Sequence, residues 1–163
     1  MAVLLAGGSD GHVLDSATIY DPARDTWTNM QHMASARSLH SATMLDASHL
    51  LVVGGQDAAG NPIASAEIYD AASDTWSSAG SMATARYEHT ATRLRNGVLL
   101  VVGGCTAGGG PTATAEIYLP KTNTWIVTSS MPGARFRRVC CSLTISKSCS
   151  TPMRVSGTGG TSN

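Results

Sequence analysis

Charge is scarce in this chain: Asp, Glu, Lys and Arg make up 13% of the 163 residues and balance to a formal net charge of zero. Nucleic acids and anionic membrane surfaces select clustered basic residues, so the composition calls for neither partner. Long apolar runs are missing too. No stretch reaches the roughly 18 uninterrupted apolar residues of a membrane helix, and Met1 to Leu5 lacks the basic start and extended apolar core of a signal peptide. The four cysteines, Cys105, Cys140, Cys141 and Cys149, show no Cys-x-x-Cys spacing and no nearby histidine to complete a zinc site. They read as free thiols, and no metal or other cofactor is expected. The length suits a single domain able to bury a core.

What the chain does have is a beat. Tyr20 and Trp27, Tyr69 and Trp76, and Tyr118 and Trp125 form three pairs, each separated by six residues and each 49 residues from the next. Gly54-Gly55 and Gly103-Gly104 keep that step, and Gly7-Gly8 stands 47 residues before the second pair. Met33, Met82 and Met131 each open a Met-x-x-x-Arg group that ends at Arg37, Arg86 and Arg135. His40 and His89 follow at the same interval, with Arg138 at the third position. A period near fifty residues marks a repeat architecture, and here it ends abruptly after Arg135.

Within a unit the apolar segments are short and punctuated by turn formers, which predicts strands. In the unit from Ala34 to Met82 these are Ser38 to Leu45, Leu50 to Val53, Ala64 to Tyr69 and a fourth beginning at Thr75. Turns fall at Asp46 to His49, Gln56 to Pro62 and Asp70 to Asp74. Leu50-Leu51-Val52-Val53 is apolar on both faces and must be covered on both. Four-stranded antiparallel sheets meet that need by stacking around an axis as propeller blades. The glycine pairs then permit close backbone approach, while the Tyr and Trp pairs pack blade against blade. Both sets read as structural.

A double glycine, a tyrosine some dozen residues later, then six residues and a tryptophan resembles the kelch-repeat family. Gly55, Tyr69 and Trp76, and Gly104, Tyr118 and Trp125, carry the likeness, with Gly8 to Tyr20 two residues shorter. It covers about Val3 to Arg135. Segments such as Ala-Glu-Ile-Tyr, Thr-Trp and Met-Ala-Thr-Ala-Arg-Tyr-Glu-His are most similar to microbial kelch proteins. The resemblance implies an all-β fold, a kelch-type β-propeller of four-stranded antiparallel blades. Repeat units of about 1–33, 34–82 and 83–131, plus one further inner strand at about 135–145, make a propeller segment of 1–145. Residues 146–163 form a polar tail expected to be disordered. The strand count gives about three blades, whereas propellers take four to eight. Either the chain is a fragment or frameshifted product whose further blades lie elsewhere, or a homodimer closes the ring. The abrupt change of composition after Arg135 favours the fragment.

Arg37, Arg86 and Arg135 are the first binding candidates. In kelch proteins that capture acidic peptides, arginines at the matching position line the binding face, and the resemblance implies the same place here. The alternative is that each arginine ties backbone carbonyls between blades. His40 and His89 stand three residues further on, where they face the channel or serve as hydrogen-bonding scaffold. Tyr87, the one tyrosine outside the repeat frame, completes the ligand-binding set. The loops Ser9 to Leu14, Gln56 to Pro62 and Cys105 to Pro111 differ between copies, as specificity loops on a fixed frame do. Glu67 and Glu116 are repeat-equivalent and read as scaffold.

No nucleophile with a partnered base is visible. The expected function is therefore a non-catalytic interaction module that binds a protein, an acidic peptide or a small ligand through its blade-connecting loops. The resemblance leaves two alternatives: a fragment of a propeller enzyme, galactose-oxidase-like or a sugar-acid isomerase, or a vestigial incomplete propeller. The oxidases need a tyrosine, a cross-linked cysteine and histidines converging on copper. Here Cys105 has no evident partner.

Overall fold

The computed structural model describes residues 2–136. Within them eleven strands form three antiparallel sheets. The first holds β1 (Val3–Ala6), β2 (Ala17–Asp21) and β3 (Thr26–Met30). The second holds β4 (Ser41–Met44), β5 (His49–Val53), β6 (Ser65–Asp70) and β7 (Thr75–Ser81). The third holds β8 (Thr90–Arg93), β9 (Leu99–Val102), β10 (Ala115–Leu119) and β11 (Thr124–Thr128). Every strand pairs with its neighbours in sequence, so each sheet is a meander, and no helix occurs among the described residues. The all-β blades and the three-stranded first sheet match the sequence reading. Of the further inner strand expected at 135–145, residues 137–145 fall outside the described residues, as does the tail at 146–163.

The expected strand from Ser38 is shorter than predicted, because β4 begins only at Ser41. Ser38 is diverted into a two-way backbone pairing with Gln56, and Leu39 takes a left-handed φ of 54° that no strand accommodates.

The recurring aromatics sit where their spacing puts them. Six intervening residues make Tyr20 and Trp27, Tyr69 and Trp76, and Tyr118 and Trp125 direct cross-strand partners. Their ring centroids lie 4.9 to 5.1 Å apart in tilted contact. Each tyrosine hydroxyl donates back to the turn, to Asp25, Asp74 or Asn123. All three of those residues hold φ between 51° and 54°, a conformation Asp and Asn tolerate better than most.

Strand β5 shows why a continuous apolar run is needed. Side chains alternate across a strand, so Leu51 and Val53 enter the core shared with the third sheet, together with Leu99, Val101 and Tyr118. Leu50 and Val52 enter the core shared with the first sheet, beside Met33, Leu4 and Ala6. The tryptophans bind the sheets to each other at the outer edge. Trp76 Nε1 donates to the Gln31 carbonyl at 2.8 Å, and Trp125 Nε1 to the Ala79 carbonyl at 2.8 Å. Trp27 meets no such neighbour among the described residues and is 59% exposed.

The two positions therefore separate in a stability measurement. Trp76→Ala removes indole contacts and a hydrogen bond between sheets and should cost about 3 kcal/mol. Trp27→Ala should cost about 0.5 kcal/mol, as at other exposed sites. Urea denaturation of both variants checks this, and equal losses would contradict the stacking of the sheets.

Candidate functional site

A meander of four strands returns to the end at which it began. The glycine pairs, the loops 9–14, 56–62 and 105–111 and the Met-to-His connections therefore gather at one end of the blades. The tight hairpin turns lie at the other.

At the gathering end each arginine bridges two blades. Arg37 N donates to Leu14 O and its own carbonyl accepts from Gly8 N at 2.9 Å, fixing its backbone to the first blade. Its side chain reaches into the second. Nη1 donates to the carbonyls of Gly54 (3.0 Å) and Ser65 (2.9 Å), and Nη2 to Ser65 Oγ (3.1 Å) and Glu67 Oε1 (2.7 Å). With Nε donating to Ser35 O, all five guanidinium N–H groups are satisfied. Arg86 repeats the pattern on Gly103, Thr114 and Glu116, one blade further on. The carboxylates finish their valences on backbone: Glu67 accepts from Ala34 N and Ser35 N, and Glu116 from Ala83 N and Thr84 N.

Arg37 and Arg86 are both 0% exposed. This corrects the expectation that they face a ligand, because a buried guanidinium with no spare donor has nothing to offer one. Glu67 and Glu116 are the scaffold expected, and their burial is what permits the arginines theirs. Arg135 differs. Its backbone is anchored like the others, with N donating to Thr112 O and its carbonyl accepting from Gly104 N at 2.7 Å. Its side chain is exposed and finds no acceptor among the described residues.

The histidines belong to the seam as well. His89 is buried, and its Nε2 lies 2.7 Å from Ser41 Oγ of the preceding blade. Its ring lies against Gly54, where a Cβ would fall 2.6 Å from the Arg86 carbonyl and 2.9 Å from His89 Cε1. Gly7 stands in the same relation to Arg37 and His40, and both glycines take φ near 60°. The paired glycines are thus the hollow into which the Arg and His connection is pressed. Burial first, then the Arg86 and His40 charges, lowers the His89 pKa to about 3. His40 is shifted the same way by burial and Arg37. The His89 ring is buried, whereas His40 is half-buried. Tyr87 is half-buried, exchanges backbone hydrogen bonds with the buried Cys105, and directs its hydroxyl toward the loop at Gly109.

Two residues the sequence reading passed over stand out. Leu39 and Glu88 occupy the same repeat position and both adopt left-handed backbone, φ 54° and 52°. Such a conformation costs on the order of 1 kcal/mol or more for a bulky side chain. Glu88 N donates to the Leu39 carbonyl at 2.9 Å, so the two stand side by side on adjacent blades at the start of their first strands. Leu39 is 45% exposed. The signal that could have found them is a position between invariant neighbours, Arg37 and His40 or Arg86 and His89, whose own identity changes from Leu to Glu.

A cleft of about 790 Å³ opens at the opposite end, between the turns of the second and third blades, lined by Leu45, His49, Arg93, Val98 and Lys121 among others. Its walls are the flanks of hairpin turns, and the His49 and Asp46 side chains there stand largely in solvent. The strained and copy-variable residues lie at the other end.

The model of the kelch motif matches residues 36–83 and 86–132, more than half of the chain. A stretch of 56 residues is 38% identical to Kelch-like protein 7 of Homo sapiens. That stretch is 34% of this chain and 9% of the human protein, so the chain spans a small part of the relative it resembles.

Two stability predictions follow from the seam. Arg86→Ala leaves Glu116 buried without its cation and should cost about 3 to 5 kcal/mol, with Glu116→Gln substantially less than additive on top of it. A double-mutant cycle by urea denaturation reads the coupling, and independent effects would mean the pair does not form. His89 takes up its proton near pH 6.5 when unfolded and near 3 when folded. Between those values the unfolded chain binds more protons, so stability falls as pH is lowered, by up to about 1.4 kcal/mol per pH unit. His89→Gln should flatten that slope in denaturation curves collected from pH 7 to pH 4.

Proposed function

Because the chain belongs to the kelch-repeat family, whose repeats typically serve as protein-interaction modules, we propose that it is a non-catalytic module that binds a protein segment at the loop-bearing end of its blades. The observation that carries this reading is the strained backbone of Leu39 and Glu88. Strained backbone of this kind clusters at ligand-facing positions. Here it turns an apolar side chain outward, beside an acidic one on the next blade, at the end where the loops 56–62 and 105–111 also differ between copies. The frame arginines are buried, so acidic-peptide capture through Arg37 and Arg86 is set aside. An apolar side chain seated against Leu39 suits this surface better.

A phage-displayed library of random 12-residue peptides supplies the probe. Peptides enriched on the full chain should lose about tenfold or more in affinity on Leu39→Gly. That substitution relieves the left-handed strain, so the urea midpoint should hold steady or rise by about 1 kcal/mol equivalent. Enriched peptides that bind Leu39→Gly as well as the parent chain would place the binding surface elsewhere.

A further inference from the structure

At its turn end the third blade departs from the repeat, and the departures converge on one place. Asp21 and Asp70 open the outer hairpin turns of the first two blades. Each carboxylate accepts from a backbone N–H of its own turn, Ala23 N or Ala72 N, at 2.9 Å. The third blade has Leu119 at that position and forgoes the bond. Lys121 stands where the other blades have Ala23 and Ala72, and Arg93 stands where the second has Met44. Building a blade requires none of these changes, since the same hairpins close in the same register without them.

All three residues line the cleft of about 790 Å³ between the turns of the second and third blades. Leu119 joins Leu45, Ile68 and Val98 there, and Leu45 and Ile68 are anchored in the core between the two sheets. Ala91 packs against that core, and Arg93, two residues on along β8, shares its face and stands at the rim. Arg93 and Lys121 are exposed, and neither meets an acceptor among the described residues. Asp46, the carboxylate in the lining, is turned onto its own hairpin. It accepts from Ser48 N at 2.8 Å and His49 N at 2.9 Å and lies 2.9 Å from His49 Nδ1. The Ser48 N–H, and then the His49 contacts, hold its pKa down to about 2. Two cations are thus left beside an apolar wall.

We propose that this cleft is a binding site for a small organic carboxylate with an apolar body. The body sits on Leu45, Ile68, Val98 and Leu119, and the carboxylate is met by Arg93 and Lys121 at the rim. A guanidinium fork matches a carboxylate in shape as well as charge. The volume falls within the roughly 300 to 1,000 Å³ of small-ligand sites, and a protein segment would need a broader contact than the flanks of these turns. The cleft lies at the end of the blades opposite Leu39 and Glu88, so it is independent of the peptide surface proposed there.

Titration of the full chain with 3-phenylpropanoate and with octanoate, followed by proton–nitrogen NMR, tests the assignment. Saturable shifts should appear at the backbone N–H groups of Gly97, Val98, Leu119 and Thr122. The neutral carboxamides of the same two compounds should bind about tenfold more weakly, for want of a charge-assisted bond. Arg93→Met and Lys121→Ala install residues that the other blades carry. Each should weaken carboxylate binding by about fivefold, as expected for an exposed ion pair, and leave carboxamide binding unchanged. Leu119→Asp, which restores the turn bond, should weaken both ligand types. The proposal is overturned if neither carboxylate gives saturable shifts at those four positions, if carboxamides bind as tightly as carboxylates, or if the folded Arg93→Met/Lys121→Ala chain keeps the parent affinity.

Discussion

Each blade is locked to the next by an arginine whose backbone belongs to one sheet and whose side chain belongs to the other. Burying a guanidinium is expensive, and it is tolerated at Arg37 and Arg86 because every donor meets an oxygen and a carboxylate cancels the charge. The same carboxylates, Glu67 and Glu116, also cap the chain as it crosses between sheets. Crossing, charge and strand pairing are consequently one network, and moving any part of it exposes the rest.

Much else is subordinate to that lock. The glycine pairs are hollow because the arginine carbonyls and histidine rings press into them, and the histidines are held neutral because arginine charge and burial both oppose protonation. Met33 and Met82 fill the space under the same connection. The apolar strands β5 and β9 supply area, but area is non-directional. The arginine network and the tryptophan hydrogen bonds decide the angle and register at which one blade meets another.

The blades were legible in the sequence because their signals are local. Six residues between Tyr69 and Trp76 can only be a hairpin that sets the rings opposite one another, and an apolar run such as Leu50 to Val53 can only be an interior strand. The role of the arginines was not legible. An arginine at a fixed repeat position reads the same whether it faces a ligand or a carboxylate thirty residues away, and only the burial at Arg37 decides. The left-handed turn at Leu39 escaped for a related reason: leucine carries no preference for that conformation, so tertiary pairing at Ser38 imposes it without leaving a compositional trace.

The tryptophans give the molecule a built-in optical asymmetry. Two indoles donate their N–H to a carbonyl of the adjoining blade, while Trp27 is largely exposed and makes no such bond among the described residues. An exposed indole emits at longer wavelength than one half enclosed by protein. Blade stacking is thereby written into the intrinsic fluorescence, and whatever covers the first blade shortens the emission wavelength of one identifiable residue with no label attached.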